Sequence, residues 1–137
     1  MSIPRNLSIS AANITSSGIF TVDGSNPVGF ISIPQNAQTS NYTLVLSDAG
    51  KHIYHANTTA AATYTIPANS SVAFPIGTAI SFINMSANSV TIAITTDTLI
   101  LSDVAGSTGS RTLATYGAAT AVKVLSTSWI ISGTNLT

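Results

Sequence analysis

Apolar and polar side chains alternate over much of this chain. Residues 89–95 put Val90, Ile92 and Ile94 on one face and Thr91, Ala93 and Thr95 on the other. A period of two marks a strand with one buried face. The same beat groups Tyr42 with Leu44 and Leu46, Ile80 with Phe82, and Trp129 with Ile131. In residues 121–125 it faces Val122 and Val124 inward and Lys123 outward. Shorter segments at 18–22, 28–33, 52–55, 63–66 and 98–102 read as strands too. A helical period is hard to find, and residues 56–62 are the one place where a short helical turn fits.

Turn signals separate these segments: Asp23-Gly24, Asn26-Pro27, Asp48-Ala49-Gly50, Pro75-Ile76-Gly77 and a loop over 103–110. About ten short strands at roughly ten-residue spacing predict an all-β fold, a single-domain β-sandwich of jelly-roll-like form. Residues 1–41 are less regular and read as an N-terminal arm with edge strands. Residues 42–137 read as the sandwich core of the one domain.

One phrase occurs three times, as Ser2-Ile3-Pro4-Arg5-Asn6, Ser32-Ile33-Pro34-Gln35-Asn36 and Thr65-Ile66-Pro67-Ala68-Asn69. Proline removes a ladder donor and Asn favours turns, so the phrase reads as the end of a strand. The intervals are 30 and 33 residues and the flanks do not recur. A solenoid repeat is therefore not expected from it.

Composition narrows the function. Only 6% of the 137 residues are charged and the net charge is zero, against about 25% charged in ordinary soluble domains. Forty residues are Ser or Thr. Four basic residues spread over the chain cannot form the patch that phosphate backbones require, so nucleic acid is not an expected partner. So few charges oppose association weakly. There is no cysteine, hence no disulfide, thiolate or cysteine-based zinc site. No basic-then-apolar leader opens the chain, and no apolar run reaches the roughly 20 residues of a membrane helix. Neither secretion nor a membrane is expected.

No catalytic constellation emerges. His52 and His55 are the only histidines, and on a strand they point to opposite faces, so one metal between them is not expected. No nucleophile elbow is present. The segment Gly106-Ser-Thr-Gly-Ser-Arg111 resembles a phosphate cradle only in composition, because it lacks the P-loop spacing and leads toward a strand. Four scattered Asp and no Glu leave no carboxylate pair for glycoside hydrolysis. Seven Asn-x-Ser/Thr triplets follow from ten Asn in a Ser/Thr-rich chain. Trp129 alternates with Ile131 and reads as core, not as a sugar platform. No enzyme activity, cofactor or metal is expected.

Several pieces of the text, in order, resemble a known family. The opening Ile3-Pro4-Arg5-Asn6-Leu7-Ser8 with Ser16-Ser17-Gly18 resembles the start of many small structural proteins of tailed bacteriophages. Pro34-Gln35-Asn36, residues 42–51, Thr65-Ile66-Pro67-Ala68-Asn69, Phe74-Pro75-Ile76-Gly77-Thr78 and residues 128–133 together resemble a domain of phage head-decoration (cement) and fibre proteins. The resemblance implies an all-β virion subunit on the capsid surface, made in the bacterial cytoplasm and bound to the major capsid protein. Such a subunit acts as a symmetric homodimer or homotrimer that stabilises the shell. The alternative is a fibre or spike module that binds host-surface glycans. Ile3, Pro4 and Arg5 are the expected partner contact, being extended, stiffened by proline and carrying one of the few charges.

Overall fold

The computed structural model describes residues 32–56 and 59–137. Its nine strands are β1 (Gln35–Gln38), β2 (Tyr42–Thr43), β3 (His52–His55), β4 (Ala62–Ile66), β5 (Ala79–Asn84), β6 (Val90–Ile94), β7 (Thr98–Leu101), β8 (Arg111–Leu125) and β9 (Ser128–Leu136). The fold is all-β, as the alternation requires. The strands join in one sheet of order β1-β3-β5-β8-β6-β4-β2, with β9 beside β8 and β7 beside β9. Residues 32–137 make one compact unit. No helix among the described residues is long and apolar enough to cross a membrane.

The pairing differs from the antiparallel Greek keys of a jelly roll. Strands two apart in the chain run parallel: β1 with β3, β3 with β5, β2 with β4, and β4 with β6. β7 and β9 are parallel as well. Three successive strand pairs therefore stack rung on rung in the manner of a solenoid, although no sequence unit recurs. The reason is physical. Alternation specifies which face of a strand is buried, and any neighbour with the same alternation can share that face.

β8 closes the stack. Arg111–Leu113 pair antiparallel with β6, and Ala118–Val122 pair antiparallel with β5. Against β9 the register breaks between Leu113 and Ala118. The sheet thus has two walls. The broad one comprises β1, β3, β5, the second part of β8, β9 and β7; the narrow one comprises β2, β4, β6 and the start of β8. Tyr64 of the narrow wall stacks on Phe82 of the broad wall, with ring centroids 6.5 Å apart. Both walls therefore face one core, and the sheet curls toward a barrel.

Polar residues hold the corner between the walls. Gln38, His55 and Asn84 lie in register on β1, β3 and β5. The Asn84 amide nitrogen donates toward the carbonyls of Asn88, Leu113 and Ala114 at 2.8, 3.1 and 3.0 Å. Its oxygen accepts from the Ser86 backbone N–H and hydroxyl. Where strands bend, ladder partners are lost, and a buried amide supplies them. On β8 the bend requires Tyr116 at φ 58° and on β9 Asn135 at φ 57°. This left-handed conformation costs an ordinary side chain about 1–2 kcal/mol.

The core holds Ile53, Tyr64, Ile66, Ile80, Phe82, Ile92, Leu99, Leu113, Trp129 and Ile131. Two sequence expectations are corrected. Lys123 points inward, 1% exposed, while Val124 is 40% exposed. The inward row of β8 is Gly117, Ala119, Ala121 and Lys123. Its small residues admit the Lys123 stem, and the ammonium donates to Asn69 Oδ1 at 2.6 Å while lying 5.7 Å from the centre of the Trp129 ring. Residues 42–46 are not one strand either. β2 ends at Thr43, Leu44 is buried, and Leu46 turns outward in a 3-10 turn, Leu46–Asp48.

Among the described residues the repeated Ile-Pro phrase has two positions, its first copy at residues 2–6 lying outside them. Pro67 follows β4, which ends there as expected. Pro34 instead precedes β1, and its carbonyl accepts the His52 N–H at 3.0 Å. The described part of residues 56–62 contains no helix, since β4 begins at Ala62.

Candidate interaction face

The groups singled out for chemistry do not gather into a reactive site. Ile3, Pro4 and Arg5 lie outside the described residues. His52 and His55 face opposite sides of β3, His52 half-buried and His55 fully buried. His55 Nδ1 hydrogen-bonds the Tyr64 hydroxyl, which also donates to Gln38 O at 3.3 Å. Among the described residues, no three His, Cys, Asp or Glu come together as a metal-binding group.

Asp48 is buried and serves its own turn. Its carboxylate accepts from Asn36 Nδ2, Tyr42 Oη and the Val45 N–H, each at 2.9 Å. That accounts for Leu-Ser-Asp-Ala-Gly as a local fold signal. Asp103 does similar work in the 103–110 loop. Its Oδ1 accepts the backbone N–H groups of Ala105, Gly106 and Ser107, the Gly106 bond being 2.6 Å. Donors that could have cradled a phosphate are taken by the chain's own carboxylate. Arg111 folds beneath this loop and donates through Nη2 to Ser107 O at 2.6 Å.

Burial sets the titration of one group on this inner side. It pushes the Tyr64 phenol up to about 12 from an ordinary 10.0. The unfolded chain releases this proton first, so the contribution of Tyr64 to stability is complete below pH 10 and is lost as pH rises toward 12. Denaturant midpoints measured across pH 9 to 12 should fall over that interval in the native chain. The fall should be smaller in Tyr64→Phe.

The outer side of the broad wall has a different character. Strand register lines its outward side chains into three rows. The first is apolar: Ala79, Val122, Ile130 and Ile100. The second is Gln35, His52, Ser81, Thr120 and Ser132. Within it Ser81 and Thr120 hydrogen-bond through their hydroxyls at 2.8 Å, and Gln35 bonds His52 at 3.1 Å. The third is Ala37, Tyr54, Ile83, Ala118 and Thr134. A shallow groove of about 290 Å³ runs between the second and third rows over β5, β8 and β9, floored by Ala119 and Gly133.

None of these three rows carries Asp, Glu, Lys or Arg. An ordinary surface of that many positions would hold about four such residues. The charge has gone elsewhere: of the six charged residues described, Asp48, Arg111 and Lys123 are buried. The sequence reading did not find this face, because most of β8 escaped it; residues 111–120 are rich in Ala, Gly and Thr. A signal was nonetheless present, since residues 52–96 contain no charged residue.

More apolar surface sits where β8 ends. Leu125 is 61% and Ile76 66% exposed. The backbone bonds Gly77 N–H to Lys123 O and Lys123 N–H to Thr78 O, at 2.8 and 2.9 Å, place their two segments side by side. The outside of the narrow wall is uncharged as well, since Arg111 faces inward, but Thr63, Thr91 and Thr112 line it, and water solvates such a face well. Comparison with known proteins finds no matching family and no similar curated protein.

Proposed function

We propose that this chain is a structural subunit of a phage particle, a decoration or cement protein that docks on the major capsid protein and stabilises the shell as a symmetric oligomer. One observation carries the reading: a six-stranded outer wall free of charged side chains, on a chain that buries half of its described charges. Such a surface is built to be covered. The order of sequence pieces that resembles phage decoration and fibre domains supports the same reading. Docking of several identical feet at a symmetry point converts weak contacts into avidity. A subunit that binds only the assembled shell stabilises it by mass action.

The experiment is co-sedimentation of the purified protein with empty capsids, with shell melting followed in parallel. Saturable binding and a raised shell melting temperature are expected. A protein that stays in the supernatant at every concentration rejects the reading. The glycan-binding alternative draws on the hydroxyls of Ser81, Thr120, Ser132 and Thr134 around the groove. Retention on a glycan array would favour it.

A further inference from the structure

We infer that the broad wall is the self-association face, against which a second copy of this chain packs its own broad wall, sheet on sheet. The inference rests on the proposed reading of the chain as a subunit of an assembly, and adds the surface and its partner.

Four observations converge on a second copy. Electrostatics comes first: the face has no charged side chain and the chain has zero net charge, so identical copies do not repel, and no charged partner is called for. Size is second. Six strands at about 4.8 Å spacing span about 24 Å, and rows about 6.7 Å apart extend the face to about 20 Å along the strands. That footprint is about 480 Å² in projection, roughly 60% of the ~800 Å² per partner of a standard interface.

Relief is third. Val122, Ile130 and Ile100 form a ridge of branched side chains beside the groove floored by Ala119 and Gly133. A two-fold axis between ridge and groove lays the ridge of each copy into the groove of the other. That is the self-complementarity an isologous contact needs. Strand direction is fourth: parallel strands are ordinarily covered on both faces, and the broad wall contains three parallel pairs with an outer side open among the described residues.

The test is mass in solution by sedimentation equilibrium, over micromolar concentrations. Wild-type protein is expected at a multiple of the chain mass. Ser132→Lys and Thr134→Lys place a charge on exposed positions of the face and are expected to return the chain to monomer mass with an unchanged far-ultraviolet circular dichroism spectrum. Using both variants guards against one that fails to fold. Thr112→Lys, on the narrow wall, should leave the assembly intact. A wild-type monomer, or face variants that remain assembled, overturns the inference. If instead the wild type is monomeric and the face variants lose shell binding, the wall contacts the capsid and the inference also falls. Shell binding is read separately: an assembly that ignores shells keeps this inference and rejects the proposed function.

Discussion

Asn84→Asp is expected to unfold residues 32–137 or leave them barely stable. The native amide points its nitrogen at three carbonyl oxygens, those of Asn88, Leu113 and Ala114. A carboxylate there removes the donor and sets a buried negative charge against those dipoles. An unsatisfied buried polar group costs about 1–3 kcal/mol, and more when charged, so the total exceeds about 4 kcal/mol, in the range reserved for severe lesions. Urea titration would measure it. Asn84→Ala, which leaves the carbonyls unpaired without adding charge, should lose about 2–3 kcal/mol. If the aspartate variant unfolded within 1 kcal/mol of wild type, this amide would not be what holds the corner between the walls.

The second large effect belongs to a glycine. A Cβ built on Gly133 would lie 2.3 Å from Ala118 O and 2.7 Å from both Cα and Cβ of Ala119. These are largely backbone atoms of the paired strand and cannot swing aside. Gly133→Ala therefore forces β8 and β9 apart and is expected to cost about 3 kcal/mol or more. Gly50 is a useful contrast, since its φ of 77° strains any side chain but open space surrounds it. Gly50→Ala should cost only about 1–2 kcal/mol. Thermal unfolding of the two variants separates steric crowding from backbone strain. Equal shifts would mean that β8 and β9 approach less closely than described.

Both effects sit at places the sequence reading passed over. Asn84 stood out only as the start of one of seven Asn-x-Ser/Thr triplets, and Gly133 only as the last residue of the segment 128–133. Each becomes critical largely through residues about 15 to 30 positions away, and a local pattern contains no term for such distant contacts. Lys123 shows the same limit in reverse. Alternation located its strand correctly, but the choice of inner face went to the valines because they are apolar. The fold chose the row of small residues instead, which leaves room for a long stem beside Trp129. A one-residue shift of register exchanges every side chain between faces, so one residue misjudged reverses the whole strand.

The candidate face was legible only in negative form. Scarcity of charge, absence of cysteine and lack of any catalytic spacing pointed to a protein that works by contact. Where that contact lies could not be read along the chain, because Gln35, His52, Ser81, Thr120 and Ser132 make one row only once five strands are aligned.

By itself, then, the amino-acid sequence determined that the chain folds into β-strands and where most of them lie, and that its surface is nearly free of charge. These are properties of neighbouring residues, and a period of two expresses them directly. The tertiary structure alone decided that strands two apart run parallel, that β8 bends to pair with both walls, and which face of β8 is buried. Those outcomes depend on packing volume and on hydrogen-bond partners brought from remote segments, and identical alternation is compatible with several such arrangements.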